Sequence, residues 1–548
     1  MTTTSAPTLT PAVRLEHLIV PYLGLILAVL AVYGNVYDNA FLFDDELIIT
    51  KNELLDGWNN FGKLFVSSTT EGTHIAGGFY RPLQLILYFF VNHIAGRSTF
   101  AFHLVNIVLH AANACLIYAL GKKLKFSPPA VFFATLIWAV HPVHTEAVTY
   151  MSGTADLLFV FFALLACVII VPDGSFRRVM LALPIFALGL ISKETSVIIP
   201  GLVIVCLFAA NPDRLNWKLY RHTWPLWIIA AIYMIWRLGN DQFDGPRRYE
   251  HLYVLKDFSN ISLYASHFWY RFYTFLATLP AYAGLLVWPV GLHMERTFTI
   301  FNDFPEPPEL LGLVFVIGAA IQIFRTVFRK KDDRPNMALS WGLLWCGVAH
   351  FPESGLVAPS NSLFLEHWLY VPSIGLFLGG AENVYSALQK TNWKQWKPVT
   401  ACACVALAAG LGVMTLRQNT VWHDPISFYT HMFKYGAVSA RAHNNLALAY
   451  AENNRLPEAL DEFRKAISLT DTYAETRHNY ALTLLRQPDA PEHAQEAIEN
   501  LNRALEIDPN FYRSMEALAS IYDHLGDHEK SAEYTRRAEI IKSRFNGQ

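Results

Sequence analysis

Charge is what this sequence has least of. Asp, Glu, Lys and Arg make up only 16% of its 548 residues, where a soluble protein carries about a quarter. With 53% hydrophobic residues and a mean hydropathy of +0.25, the composition points to lipid. The formal net charge of −2 and the lack of any long basic run give no basis for a nucleic-acid partner. Cysteine is scarce as well. All six cysteines (115, 167, 206, 346, 402 and 404) lie in apolar stretches and none in the polar C-terminal tail, which excludes a disulfide framework or a zinc knuckle. They read as small buried hydrophobes. The Thr-rich, uncharged start and the absence of a small-residue cleavage site before Tyr37 argue against a signal peptide, so the first apolar run is expected to remain as a membrane helix.

What is present in quantity is apolar sequence. A helix needs about 20 apolar residues to cross the hydrocarbon core. Candidate spans are Leu15–Tyr37, Ala101–Leu120, Pro129–Val140, Ala147–Val171, Val179–Ile191, Val197–Ala209, Trp224–Leu238, Leu310–Phe328, Ala338–Ala349, Leu369–Leu388 and Pro398–Leu416, about eleven in all. Several are short and must borrow flanking residues. The fold expected is therefore all-α, a polytopic membrane helix bundle.

Lys and Arg placement sets the orientation. One set of loops holds Lys122, Lys123 and Lys125, then Arg177 and Arg178, then Arg214, Lys218 and Arg221. It continues with Arg325, Arg329, Lys330, Lys331 and Arg334, and ends with Lys390, Lys394 and Lys397. The alternate short loops, His141–Glu146 and His350–His367, contain no Lys or Arg. The basic set is read as cytoplasmic, which starts the N-terminus inside and leaves everything after Leu416 outside. Tyr264–Pro289 resists this scheme, because one crossing there would put the Arg325–Arg334 cluster outside. Its Arg271 and two prolines favour a re-entrant or interface-lying element.

The tail repeats. Asn444-Asn445-Leu446-Ala447-Leu448-Ala449-Tyr450 is followed by Ala459, Phe463 and Ala466, and Asn479-Tyr480-Ala481 recurs 34 residues on, continuing with Ala497, Leu501, Ala504 and Pro509. A third unit has Leu518, Ala519, Tyr522, Gly526 and Ala538, and the second carries a short insertion around Pro488–Pro491. Small residues at these places let paired helices approach while aromatics fill the groove between repeats, the pattern of tetratricopeptide (TPR) hairpins. The organisation expected is a membrane domain over 1–420, a linker over 421–440 and an outer-side TPR α-solenoid of three repeats over 441–548. Such arrays present a concave peptide-binding face, though a stabilising cap is the plainer alternative.

Ionisable groups crowd the outer side in three clusters. Phe43-Asp44-Asp45-Glu46 follows the first helix directly, and mutual repulsion among three acids raises at least one pKa, which suits a general base. The bland reading is a solvated loop start. His141-Pro142-Val143-His144-Thr145-Glu146 offers metal-ligand types without the helical HExxH arrangement, so a hydrogen-bonding rim is preferred to a metal. Asp156 stands at the head of a long apolar helix, where an unpaired charge is expensive. The third cluster joins Ser192-Lys193-Glu194 to Glu366-His367. Lys193 and Arg81 are the outer cations nearest to apolar segments and suit a lipid phosphate, whereas a local Lys193–Glu194 pair is the ordinary alternative.

Taken in order, Phe43-Asp44-Asp45-Glu46, Tyr80-Arg81-Pro82-Leu83, Phe102-His103-Leu104-Val105-Asn106, the 141–146 motif, Ala155-Asp156-Leu157-Leu158, Ser192-Lys193-Glu194-Thr195 and Glu366-His367-Trp368-Leu369-Tyr370-Val371-Pro372-Ser373 precede Trp422 and the TPRs. This series closely resembles the transmembrane and TPR-containing O-mannosyltransferase family in its shorter prokaryotic form, within the GT-C glycosyltransferase superfamily. The resemblance spans nearly the whole chain and is weakest between Gly239 and Pro308. It implies inverting transfer of a sugar from a polyprenyl-phosphate donor to a hydroxyl, with the catalytic carboxylate mapping onto Asp44 and Asp45. Arg81 and Lys193 are assigned to the donor phosphate. Glu46, His141, His144, Glu146, Asp156, Glu194, Glu366 and His367 are assigned to the sugar or acceptor site. Relatives commonly have Gly-Arg-Ala-Asp where this chain has Gly153-Thr154-Ala155-Asp156, which shifts phosphate binding onto Arg81 and Lys193.

No cofactor is expected beyond the lipid-linked donor. A divalent metal is possible but not favoured. The partners expected are that donor, an exported acceptor protein held by the TPRs, and membrane lipids. The location expected is a bacterial inner membrane with a cytoplasmic N-terminus and periplasmic catalytic loops, an endoplasmic-reticulum membrane being the alternative. Two competing functions remain: an oligosaccharyltransferase using a diphosphate-linked glycan, and a non-enzymatic TPR membrane scaffold.

Overall fold

The computed structural model describes residues 11–73, 79–171, 173–211, 216–240, 264–328, 334–359, 362–391 and 393–546. Arg214, Arg329, Lys330 and Lys331, counted above for orientation, lie outside them, as does the stretch before Pro11. All regular structure among the described residues is helical. In hydrocarbon every backbone N–H and C=O must find a partner within the chain, and a helix supplies one locally.

The first compact unit runs to Asp424, apart from a short segment at 295–297. Its helices are α1 (Pro11–Tyr33), α2 (Pro82–Ala95), α3 (Thr99–Lys123), α4 (Pro128–Ala139), α5 (Thr145–Thr149), α6 (Thr154–Ile170) and α7 (Phe176–Leu190). They continue with α8 (Ile199–Ala210), α9 (Trp224–Leu238), α10 (Phe268–Val287), α11 (Pro307–Phe328), α12 (Arg334–His350), α13 (Pro372–Gln389) and α14 (Trp393–Asn419). Several begin with proline in the first turn, where a missing N–H costs nothing: Pro82, Pro128, Pro200, Pro225 and Pro372.

Each of the eleven apolar stretches is helical, but the count of self-sufficient spans is smaller. Among the described residues, five segments are long and apolar enough to cross a membrane: Ile19–Val36, Thr99–Lys123, Met151–Ile170, Pro307–Phe328 and Gln395–Trp422. A sixth arises if α4 and Pro142–Thr149, bent by 54°, form one broken span. Of the remaining stretches, α7 and α8 are too short, while α13 has 18 residues but does not meet the apolar requirement. The chain is a multi-pass membrane protein, and about eleven crossings are not established. The segment 264–289 holds α10, preceded by a helical turn at 264–266, and α2 is a helix that the apolar stretches alone did not mark.

The core of this unit is aromatic and tightly closed. Trp138, Trp341 and Trp345 are fully buried. Trp138 Nε1 donates to Ser373 Oγ at 3.0 Å and Trp345 Nε1 to the Val371 carbonyl at 2.9 Å, which satisfies these two indole N–H groups, while Trp341 Nε1 has no partner among the described residues. Helices α12 and α13 approach through small residues: a Cβ on Gly342 would lie 2.3 Å from the Gly375 carbonyl oxygen.

The second unit takes in Pro425–Gln548. The stretch read as a linker contains a ten-residue helix, α15 (Pro425–Lys434). Three antiparallel pairs follow: α16 (Ala440–Glu452) with α17 (Leu456–Leu469), α18 (Ala474–Leu484) with α19 (Ala490–Ile507), and α20 (Tyr512–His524) with α21 (His528–Asn546). The small residues of the repeat, Ala447, Ala459, Ala466, Ala481, Ala497, Ala504 and Ala538, are buried, with Phe463 and Leu501 wedged between them.

Candidate active site

The acidic turn after α1 is built against the loop that joins α5 to α6. Phe43 has a left-handed backbone (φ 57), a strained choice for an aromatic residue, and it turns the next two acids in different directions. Asp45 points inward and is 1% exposed. One carboxylate oxygen accepts from the Leu42 N–H at 3.1 Å, and the other from the Ser152 N–H at 2.8 Å and its hydroxyl at 2.5 Å. Burial pushes the Asp45 pKa up to about 7, with the Asp44 charge adding to it and the three hydrogen bonds opposing it. Repulsion within the acidic run, the reason read from the sequence, is thus the smaller cause. Asp44 is half-buried at the rim, and its N–H donates to the Tyr150 hydroxyl at 3.1 Å. The Tyr150 ring packs on Trp422, at 5.6 Å between centroids. Glu46 faces outward in an exposed pair with Lys51, which contributes little to stability.

The α5–α6 loop is held from below. Asn106 Nδ2 donates to the Val148 and Tyr150 carbonyls at 3.1 and 3.0 Å, while its oxygen accepts from Thr154 Oγ1 at 2.5 Å. Gln84 and Tyr88 on α2 reach the Ser152 and Met151 carbonyls at 3.0 and 2.7 Å. Gly153 is required there, since a Cβ would fall 2.5 Å from the Ala147 carbonyl oxygen.

Beside this loop the cations gather, and each already has a carboxylate. Arg81, the residue before α2, makes a two-pronged bond to Glu194 at 2.7 and 3.1 Å and lies 4.2 Å over the Phe79 ring. Lys193 Nζ donates to Asp156 at 2.6 Å, one helical turn beyond Ser152. The local Lys193–Glu194 pair weighed from the sequence is therefore replaced by a crossed arrangement, and Asp156 is not left unpaired at its helix head. His367 donates through its backbone N–H to one Glu146 oxygen and pairs through Nδ1 with the other, both at 2.9 Å. Burial disfavours the His367 imidazolium, but the Glu146 carboxylate more than offsets this and the pKa is raised. Glu366 accepts from the His293 N–H at 2.9 Å and is buried.

The two remaining histidines are interior. His141 Nδ1 caps the Val143 N–H at 3.2 Å and Nε2 meets the Leu286 carbonyl at 3.1 Å. His144 is fully buried among Trp138, Tyr370 and His110, with ring centroids at 4.7, 5.1 and 6.2 Å, and neither ring nitrogen has a hydrogen-bond partner among the described residues. The 141–146 motif thus splits three ways, only Glu146 joining the charged cluster. No three His, Cys, Asp or Glu side chains among the described residues are grouped to hold a metal ion.

Three residues of this region were not marked from the sequence. Tyr150 and Ser152 hold the acidic pair, and the signal for them was their place just ahead of Gly153-Thr154-Ala155-Asp156. Glu353, in a single turn after α12, acts electrostatically on Arg81, Lys193, Asp156, Glu194 and His367. Its signal was an acid in a short loop that contains no Lys or Arg.

The fold and the site define a class: an all-helical, multi-pass membrane protein with a charged cluster built around one inter-helix loop and a separate unit of helical hairpins. Comparison with known proteins sharpens it. Residues 82–237 match the family model described as dolichyl-phosphate-mannose-protein mannosyltransferase, and residues 440–473 and 492–544 match tetratricopeptide repeats. The chain is 24% identical over 457 residues to "Protein O-mannosyl-transferase F38B6.6" of Caenorhabditis elegans, covering 81% of this chain and 62% of that one. It is 23% identical to Tmtc3 of Drosophila melanogaster (88% and 61% covered) and 25% identical to TMTC3 of Homo sapiens (80% and 50% covered), both also named protein O-mannosyl-transferases. The chain spans between 50% and 62% of the length of these relatives. It thus carries a mannosyltransferase-family region followed by TPR repeats and is similar to the TPR-containing protein O-mannosyl-transferases. Asp44 and Asp45 lie ahead of the family match, while Asp156 and Lys193 lie within it.

Proposed function

We propose that this protein is a GT-C glycosyltransferase that moves a sugar from a polyprenyl-phosphate donor to a Ser or Thr hydroxyl of an exported protein. The observation that carries this reading is the convergence of Asp44, Asp45 and Lys193 on the Tyr150–Asp156 segment, with Arg81 in electrostatic reach of Asp156. The relatives' printed name makes mannose the first sugar to test.

In the reaction proposed, the acceptor oxygen attacks the sugar C1 from the face opposite the phosphate. The C1–O bond to the phosphate breaks, the configuration inverts, polyprenyl phosphate leaves with the bond electrons, and the acceptor proton passes to a carboxylate. Asp44 is the better base on access, because it is half-buried at the rim whereas Asp45 is 1% exposed. A pKa near 7 would favour Asp45, but a base must first reach the proton it removes. Asp45 is therefore read as the group that positions the turn. Arg81 and Lys193 stabilise the departing phosphate, which must share them with Glu194 and Asp156. On this reading the membrane is a bacterial inner membrane, the outer loops and TPR unit are periplasmic, and the TPRs hold the acceptor.

The test is transfer from polyprenyl-phosphate mannose to envelope-protein extract by the purified full-length chain, read by mass spectrometry for added hexose. Wild type should transfer, Asp44→Ala should abolish transfer, and Asp45→Ala should reduce it. Transfer untouched by both substitutions would refute this mechanism. Transfer only from a diphosphate-linked glycan would move the assignment to an oligosaccharyltransferase.

A further inference from the structure

Every acid in the charged cluster except one has a hydrogen-bond donor. Glu194 is taken by Arg81, Asp156 by Lys193, Glu146 by His367 and Glu366 by the His293 N–H. Glu353 receives no hydrogen bond from any described residue, although Lys193, Asp156, Glu194 and His367 all act on it electrostatically. Its position is fixed by the backbone. The turn Pro352–Ser354 ends in Gly355, whose φ of +71 favours glycine and whose missing Cβ leaves room for the Tyr264 hydroxyl, 2.4 Å from where that Cβ would lie. Glu353 is half-buried, so its carboxylate has lost part of its water without gaining a donor among the described residues, and it can still accept from a ligand.

The chemistry of that ligand follows from the surroundings. A phosphate cannot lie against Glu353, because like charges repel. The nearby cations are each committed to another carboxylate. A neutral polyol suits the site, since hydroxyls donate and a carboxylate accepts from two at once. In a polyprenyl-phosphate sugar the ring is bonded directly to the phosphate, so a group next to the phosphate-binding cations faces the ring hydroxyls. We propose that Glu353 is a sugar-reading residue of the donor site, accepting hydrogen bonds from the hydroxyls of the transferred sugar. This rests on the glycosyltransferase reading above.

The experiment compares binding of two lipids, polyprenyl-phosphate mannose and sugar-free polyprenyl phosphate, to the full-length chain in nanodiscs. Wild type, Glu353→Gln and Glu353→Ala are measured, and the sugar-free lipid serves as an internal control for folding. Affinity for the mannosyl lipid should fall about tenfold in Glu353→Gln and further in Glu353→Ala, the order expected when a hydrogen bond to a charged acceptor is weakened and then lost. Affinity for the sugar-free lipid should change less than twofold. Equal losses for both lipids, or no loss for either, would overturn the assignment while leaving the transferase reading in place. A wild-type chain that binds neither lipid would overturn both.

Discussion

Removing one hydroxyl, in Ser152→Ala, tests the physical account of the acidic turn. Asp45 is held by three donors, and the Ser152 hydroxyl, at 2.5 Å, is the shortest contact. A hydrogen bond to an ionised group is worth about 1.5–3 kcal/mol, and one pH unit corresponds to about 1.4 kcal/mol. Loss of the hydroxyl should therefore move Asp45 upward by about one to two pH units from its value of about 7. The sign for stability follows from linkage. The folded chain holds the Asp45 proton more tightly than the unfolded chain, whose ordinary value is 3.8, so the resulting stability is complete below about pH 4 and is lost as pH rises through about 7. Over that window the loss is about 4 kcal/mol, because Asp45 is fully buried and its charge is not screened by water. Tryptophan-detected thermal unfolding in detergent should show the wild-type melting temperature falling with pH and levelling above about pH 8. In Ser152→Ala the fall should continue for a further one to two pH units, as estimated above. The infrared band of the protonated carboxyl, identified by its absence in Asp45→Asn, should persist over the same extra range. Superimposable wild-type and Ser152→Ala profiles, or a band that disappears near pH 4 in both, would refute the reasoning.

Two further perturbations address the neighbours of that turn. Asn106→Ala removes the donor to the Val148 and Tyr150 carbonyls and the acceptor for Thr154 Oγ1, leaving buried polar atoms unpaired. A loss of about 3 kcal/mol is expected, read as a lower melting temperature, with transfer falling alongside because Tyr150 and Ser152 lose their support. A full-stability variant would show that the loop is held by packing alone. His367 has a folded pKa above its ordinary 6.5, so the stability from its pairing with Glu146 is present below about pH 6.5 and lost as pH rises through the higher folded value. Gln at 367 can still donate to Glu146 but cannot titrate, so the wild-type-minus-His367→Gln difference in melting temperature should shrink toward alkaline pH. A difference independent of pH would mean that folding leaves the His367 pKa unshifted.

What could be read beforehand divides along physical lines. Helices were legible wherever a run of apolar residues left the backbone no other partner, and the repeat was legible because Ala447 and Ala481 recur at the spacing that lets paired helices touch. The number of crossings was not, since α7 and α8 are apolar but too short to cross alone, and hydropathy does not say which short helices pair. α2 escaped notice because it is held by specific contacts, such as Gln84 and Tyr88 on the α5–α6 loop, as well as by an apolar face. The charged residues were found individually, but their pairing depends on chain separations that no local pattern encodes: Arg81 meets Glu194 across 113 positions and Glu146 meets His367 across 221.

That pairing changes what the cations can do. Read in isolation, Arg81 and Lys193 are open anion sites. In the folded chain each is charge-balanced before any ligand arrives, so a donor phosphate gains from them only by weakening bonds to Glu194 and Asp156. An arrangement of this kind discriminates better than it attracts. A lone anion finds carboxylates already in place, while a ligand that also offers hydroxyls to Glu353 recovers a hydrogen bond that the empty site lacks. On the proposed function, selectivity rests on the sugar rather than on the phosphate, so the two-lipid comparison, and not phosphate affinity, is the measurement that decides it.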